Sequence, residues 1–244
     1  MITKNQVKYI QSLGQKKSRD IENRFIAEGP KLVQELITAD NCKIVQLFAL
    51  KEWIDENPNA SNHTEVIELS DAELEKISQL TTPNHVLALI EKIQWKNDPE
   101  IKGSISLALD TIQDPGNMGT IVRLADWFGI RNIICSTDCA DVYSPKVVQA
   151  SMGSISRVRV GYTDILSWLI ENKDVRIYAA VLGGRDVTKM EKISEGIIVI
   201  GNESKGINSE MLKLANVQIT IPGKGKAESL NAAVATGIIL SHLV

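Results

Sequence analysis

The chain has 244 residues, is 43% hydrophobic and 23% charged, and carries a formal net charge of -3. That length allows one large or two ordinary domains, each burying its own core, and the composition excludes disordered and fibrous classes. The slightly acidic balance excludes a protein that coats nucleic acid through charge alone, while leaving room for a local basic patch.

The opening Met-Ile-Thr-Lys-Asn-Gln begins a polar helical pattern without the apolar core of a signal peptide. No apolar run reaches the length of a membrane span, so no membrane partner and a cytoplasmic location are expected. Cys42, Cys135 and Cys139 are an odd count with no His close by, so free buried thiols are expected and no metal site.

Val7, Ile10 and Leu13 predict an amphipathic helix over residues 3–13, stopped by Gly14. Gln15-Lys16-Lys17-Ser18-Arg19 follows as a short basic run. It reads as a loop, with Lys16 and Arg19 available to phosphate if the partner is RNA. Arg24 to Glu28 reads as a strand, Gly29-Pro30 as a turn and Lys31 to Thr38 as a helix. Lys43 to Ala49 and Glu65 to Leu69 are further strands, and Ser70 with Glu73 forms a capping box for a helix ending at Ser78. Val86 to Glu91 closes the series. Alternating strands and helices make residues 1–93 a small α/β domain, and the polar stretch 94–103, with Pro99 and Gly103, reads as a linker.

Within 104–244 the apolar runs are short and nearly continuous: Ile105 to Leu109, Asn132 to Cys135, Val175 to Leu182, Ile197 to Ile200 and Val217 to Ile221. Runs of this kind, separated by helices, predict a parallel sheet covered on both faces. Three of them lead into glycine and polar residues. Leu109 is followed by Asp110-Thr-Ile-Gln-Asp114-Pro115-Gly116-Asn117-Met-Gly119, Ile200 by Gly201-Asn202-Glu203-Ser-Lys-Gly206, and Ile221 by Pro222-Gly223-Lys-Gly225-Lys-Ala-Glu-Ser229-Leu230-Asn231. Ligands of parallel sheets sit beyond the carboxyl ends of the strands, where these stretches fall. The last stretch enters an apolar segment reaching Val244, predicted as a buried helix capped by Ser229 or Asn231. A helix start beneath a glycine loop offers main-chain N–H groups to a ligand. Neither the dinucleotide Gly-x-Gly-x-x-Gly fingerprint nor a phosphate-loop signature occurs.

In this order the three stretches resemble the three motifs of the SpoU (TrmH-like) family of RNA ribose 2′-O-methyltransferases, of the SPOUT class. The resemblance covers residues 103–244. A weaker one runs through the front hundred, where K-K-S-R-x-x-x-x-R-F-I-A-E-G-P-K looks like a ribosomal protein L30e-like substrate-binding domain. Asn84-His85 departs from the glycine expected before the last front strand. The resemblance implies an α/β SPOUT domain with a parallel sheet and trefoil knot behind the L30e-like domain. It also implies a homodimer, S-adenosyl-L-methionine as methyl donor, and structured RNA as substrate, with ribosomal RNA favoured over transfer RNA. A catalytically silent RNA-binding assembly factor on the same fold is the alternative, and an α/β enzyme using another nucleotide a more distant one.

Carried onto this sequence, the resemblance makes Arg123, Glu203, Ser229, Asn231 and Asn117 the candidate catalytic set. An arginine fork suits a phosphate or a developing alkoxide better than it suits accepting a proton. Glu203 could orient Arg123 or the substrate, or assist proton removal. Ser229 and Asn231 would place the reacting groups while also serving as helix caps, and Asn117 would brace the first loop. Leu182, Gly201, Ile221 and Leu230 would hold the donor's adenosine by aliphatic and main-chain contacts. Ser144 to Ser154 resembles the family segment that would present Lys146 to RNA, though a capped helix with one exposed lysine reads the same in sequence.

Overall fold

The computed structural model describes residues 2–62 and 64–244. The chain forms two compact units. The front unit takes the residues up to Lys96 together with Asp141–Ser156, and the second takes Asn97–Ala140 with Arg157–Val244. The segment Asp141–Ser156, which lies within the predicted second domain of 104–244, is thus part of the front unit.

In the front unit, α1 (Lys4–Ser12) begins at a capping box between Thr3 and Gln6 and turns Ile10 into the core. A four-stranded sheet runs β1-β4-β2-β3, from β1 (Arg24–Glu28), β2 (Ile44–Leu50), β3 (Val66–Leu69) and β4 (Val86–Glu91). β4 pairs antiparallel with β1 and β2, and β2 pairs parallel with β3. The ends of β1 and β4 fall where the sequence predicts. After α3 (Pro30–Ile37) and α4 (Lys51–Glu56), the Ser70–Glu73 capping box also forms, opening α5 (Asp71–Ile77). Ile10, Leu13, Ile26, Phe48, Leu74, Ile77 and Leu87 make the core. His85, where glycine was expected, has φ 55°, so the left-handed turn is kept without the residue that adopts it most easily.

The basic run is the main correction in this unit. Gln15-Lys16-Lys17-Ser18-Arg19 is no loop, because Lys16–Glu22 forms α2. Arg19 is buried at 2% exposure. Its guanidinium donates to the carbonyls of Leu13 at 2.8 Å and Gly14 at 2.9 Å, and pairs with Asp141 at 2.6 Å. It closes the turn after α1 and is withdrawn from any RNA contact. The periodicity of α2 is too short for sequence to distinguish from a loop.

The second unit is built on six strands in the order β10-β8-β9-β5-β6-β7, all parallel. They are β5 (Ile105–Leu109), β6 (Asn132–Cys135), β7 (Arg159–Tyr162), β8 (Ile177–Asp186), β9 (Gly196–Ile200) and β10 (Val217–Thr220). β7, with the sequence Arg-Val-Gly-Tyr, was not predicted. As an edge strand it is only partly covered and needs no continuous apolar run. The helices of this unit are α6 (Pro115–Trp127), α8 (Ile165–Glu171), α9 (Ser209–Leu214) and α10 (Ala232–Leu243), while α7 (Pro145–Ser151) lies in the front unit. Ile134, Ile165, Leu169, Ile177, Ile197 and Val199 fill the space between sheet and helices.

α10 departs from the expectation of burial on all sides. Thr236, Ile239, Leu240 and Leu243 are buried, but Val234 is 51% exposed and the preceding Leu230 is 44% exposed. No described helix is long and apolar enough to cross a membrane.

Candidate active site

Each strand-end loop of the second unit has a local reason for its shape. After β5 the chain reaches Asp114, whose carboxylate caps α6 by accepting the Asn117 N–H at 2.8 Å, with Pro115 pre-set in the first turn. After β9, Gly201 passes so close to Gly206 that a Cβ on it would lie 2.5 Å from that residue's carbonyl carbon. Only glycine permits this crossing. Asn202 then pairs with Gly206 through main-chain bonds, and its side chain accepts the N–H groups of Ser204 at 2.9 Å and Lys205 at 3.1 Å. After β10 the loop Pro222–Leu230 is exposed along its length, and Asn231 caps α10 by accepting the N–H groups of Ala233 and Val234. Ser229, the other predicted cap, lies before the helix and makes no capping bond.

The three loops meet through side chains. Asn117 Nδ2 donates to Glu203 Oε1 at 2.6 Å, and Asn231 Nδ2 donates to Asn117 Oδ1 at 2.7 Å. Glu203 Oε1 also accepts the Ala232 N–H at 3.2 Å, at the positive end of α10. Behind this network, buried Asp110 accepts the Asn208 N–H at 2.9 Å and Asn202 Nδ2 donates to the Thr111 carbonyl at 2.9 Å. Residues from separate parts of the sequence therefore form one hydrogen-bonded rim.

Beside the rim is a cavity of about 720 Å³, lined by Leu182, Gly201, Glu203, Ile221, Ser229 and Leu230 among others. Leu182 reaches it because Ala180–Gly184 bulge from the ladder: Ala179 pairs with Gln218, but the next pair is Arg185 with Ile219. Gly184 permits this, since a Cβ there would meet the Gln218 main chain at 2.7 Å. Aliphatic walls, exposed glycine main chain at 223 and 225 and a volume in the range of small-molecule sites suit a flat, nucleoside-sized ligand.

Of the predicted catalytic residues, Asn117, Glu203 and Asn231 are brought together. Arg123 is not joined to them. It is exposed on α6 six residues beyond Asn117, about 9 Å along the helix axis, and its side chain has no hydrogen-bond or ion-pair partner among the described residues. Among the predicted RNA contacts, Lys16 is exposed and paired with Asp20 at 2.6 Å, Lys146 is exposed on α7, and Arg19 is internal as described above. Sequence reasoning missed Asn202, Ser136 and Cys139 as holders of the first loop, since no spacing rule links them to it. Cys135 and Cys139 are free and buried, and no described group of three or more His, Cys, Asp or Glu side chains could hold a metal ion.

A parallel sheet whose strand-end loops tie Asn117, Glu203 and Asn231 beside a glycine-lined cavity is an α/β fold with a small-molecule site beyond its strand ends. The chain belongs to the SpoU rRNA methylase family, whose model matches residues 104–241. A second model, the MRM3-like substrate binding domain, matches residues 4–88. The chain is 29% identical to the 23S rRNA (guanosine(2553)-2′-O)-methyltransferase RlmP of Bacillus subtilis, over 98% of this chain and 96% of that protein. Among solved structures it is similar to an AdoMet-bound rRNA methyltransferase from Sinorhizobium meliloti, at 30% identity and TM-score 0.87 over 99% and 95% of the two chains. A putative RNA methyltransferase of the TrmH family from Porphyromonas gingivalis is also similar, at 36% identity and TM-score 0.85 over 99% and 98%.

Proposed function

We propose that this protein transfers a methyl group from S-adenosyl-L-methionine to a ribose 2′-hydroxyl of ribosomal RNA, in the cytoplasm and as a homodimer. The observation that carries this reading is the joined Asn117–Glu203–Asn231 rim beside a cavity fit for an adenosyl group. The names of the relatives favour ribosomal over transfer RNA, and the match of residues 4–88 to a substrate-binding model supports a role for the front unit in holding RNA.

When bound, S-adenosyl-L-methionine supplies an electrophilic methyl group on sulfur. The chain's residues must hold that group and the attacking hydroxyl in line. Gly201, Ile221 and Leu230 offer main-chain groups and Leu182 an apolar cover for the adenosine. Glu203 Oε1 is committed to Asn117 and Ala232, while Oε2 has no partner among the described residues and is free to receive a hydroxyl proton. Arg123, permanently charged and without a partner among the described residues, stabilises the developing alkoxide or grips an adjacent phosphate. Ser229 and Asn231 fix the approach of the ribose, and Lys16 and Lys146 contact phosphate.

Arg123 does not line its own subunit's cavity, which supports a dimeric site. It shares the outer face of α6 with Trp127, 83% exposed, and α10, which packs against α6, leaves Val234 exposed, as is Leu230 before it. An apolar patch of this kind belongs against a second copy. In the same reading α10, whose end accepts the Ile193 N–H at the Leu243 carbonyl, threads the trefoil knot of the class.

The test is incubation with labelled donor and ribosomal or transfer RNA, followed by nucleoside analysis. Labelled 2′-O-methylnucleoside from ribosomal RNA is expected, and none from either RNA refutes the reading. Arg123→Ala should lower the rate by about 100-fold or more, as loss of a preorganised charge does, with donor affinity within about threefold. A catalytically silent RNA-binding factor would instead give no heat on titration with the donor.

A further inference from the structure

β5 ends at Leu109, and the chain turns through Asp110, Thr111 and Ile112 before α6 begins. Thr111 has φ 60°, the left-handed region, where a β-branched residue is an outlier. Such a conformation persists only where its surroundings over-determine it. The loop after β6 supplies most of that constraint.

The main-chain polar groups of Thr111 and Ile112 can be accounted for completely. The Thr111 N–H donates to Ser136 Oγ at 2.8 Å and its carbonyl accepts from Asn202 Nδ2 at 2.9 Å. The Ile112 N–H donates to Cys139 Sγ at 3.2 Å and its carbonyl accepts the Ala140 N–H at 2.9 Å. Just before them, the Leu109 carbonyl accepts both the Ser136 N–H at 3.0 Å and the Cys139 thiol at 3.2 Å. Ser136 Oγ donates its proton to Asp138 Oδ1 at 2.5 Å, which turns a lone pair toward Thr111. Three of the four groups on the strained pair are thus held by residues 136–140, and the fourth by the second strand-end loop. None of Ser136, Cys139 and Thr111 lines the cavity.

We propose that Ser136 and Cys139 are positioning residues for methyl transfer: by holding Thr111 left-handed they set how α6 leaves the sheet, and with it the places of Asn117 and Arg123. The proposal rests on the methyl-transfer reading above. It separates two properties that simple structural support would move together. Donor binding, which uses the loops after β8, β9 and β10, does not depend on the clamp. The rate, which depends on α6, does.

The experiment uses the full chain with S-adenosyl-L-methionine and ribosomal RNA, and measures kcat together with donor Kd by calorimetry. Ser136→Ala should lower kcat about tenfold while donor Kd stays within about twofold, a rate loss of the size expected when strain of this kind is no longer held. Cys139→Ala, which keeps the Ser136 hydroxyl on Thr111 and removes the weaker sulfur bonds to Ile112, Leu109 and Ser136, should lower kcat about threefold. Adding Thr111→Gly to Ser136→Ala should recover most of the rate, because glycine takes positive φ without a Cβ penalty. Unchanged kcat in both single variants, a parallel loss of donor affinity, or failure of the glycine to restore the rate would each overturn the clamp. A wild-type protein that methylates nothing would overturn the reading beneath it instead, and is told apart by the control arm.

Discussion

Exchanging the partners at the centre of the rim tests whether Asn117 and Glu203 act as a pair. In Asn117→Asp the amide nitrogen that donates to Glu203 Oε1 at 2.6 Å is replaced by a second carboxylate oxygen. Two unit charges about 4 Å apart repel by about 4 kcal/mol at an effective dielectric near 20, and solvent access to these half-exposed groups leaves about half of that. Losing a hydrogen bond to a charged group adds about 2 kcal/mol. Asn117→Asp should therefore destabilise the second unit by about 4 kcal/mol at pH 7, and Asn117→Ala, which loses the bonds without the repulsion, by about 2 kcal/mol. In the double variant Asn117→Asp with Glu203→Gln, the carboxylate now at position 117 accepts from Asn231 and from the amide introduced at position 203, while the Ala232 N–H, which shared Oε1 with Asn117, gives up its acceptor at a cost of about 1 kcal/mol. Stability should then return to within about 1 kcal/mol of the parent. Urea unfolding followed by the fluorescence of Trp127 and Trp168, with amide exchange at Ala232 to Val234, measures both effects. If Asn117→Asp is no worse than Asn117→Ala, or the exchange of partners restores nothing, the rim is not organised by this charge-assisted bond.

Gly201→Ala would drive a Cβ to within 2.5 Å of the Gly206 main chain, so the loop must open, and donor Kd should rise about tenfold or more by calorimetry. Arg19→Ala leaves a nearly buried Asp141 carboxylate and two carbonyls without their donor, so the front unit should lose about 3–5 kcal/mol in thermal or urea unfolding. RNA affinity measured well below the melting temperature should not fall, and a selective loss of RNA binding would contradict the internal role given to this residue. Hydrogen bonds from Lys16 and then Lys92 lower the Asp20 carboxyl to about 2 from an ordinary 3.8. Its stabilising contribution is present above the ordinary value and lost as pH falls through about 2, so Asp20→Asn should melt below the parent at pH 5 but level with it near pH 2. A melting difference that persists at pH 2 would refute that assignment.

Sequence alone determined the elements whose signals are local. The capping box at Ser70, the continuous apolar runs of β5, β6 and β9, and the glycine turns that follow the strands are written in neighbouring residues, and they agree with the structure to within a residue or two. Elements with a weak local signal were missed: the edge strand β7, the short α2, and the passage of Asp141–Ser156 into the front unit. At the site, the resemblance carried by the three strand-end stretches pointed to Asn117, Glu203 and Asn231, but not to a single amide bridging the other two. Arg19 shows the reverse case. A basic run in sequence reads as solvated, and only the carbonyls of Leu13 and Gly14 and the carboxylate of Asp141, 122 positions away, turn its charge inward. Tertiary structure likewise decided that Thr111 is held left-handed by residues 25 and more positions distant. Propensity and periodicity act over a few residues, whereas partners for a buried charge or a strained peptide are chosen by which distant segments the folded sheet brings alongside.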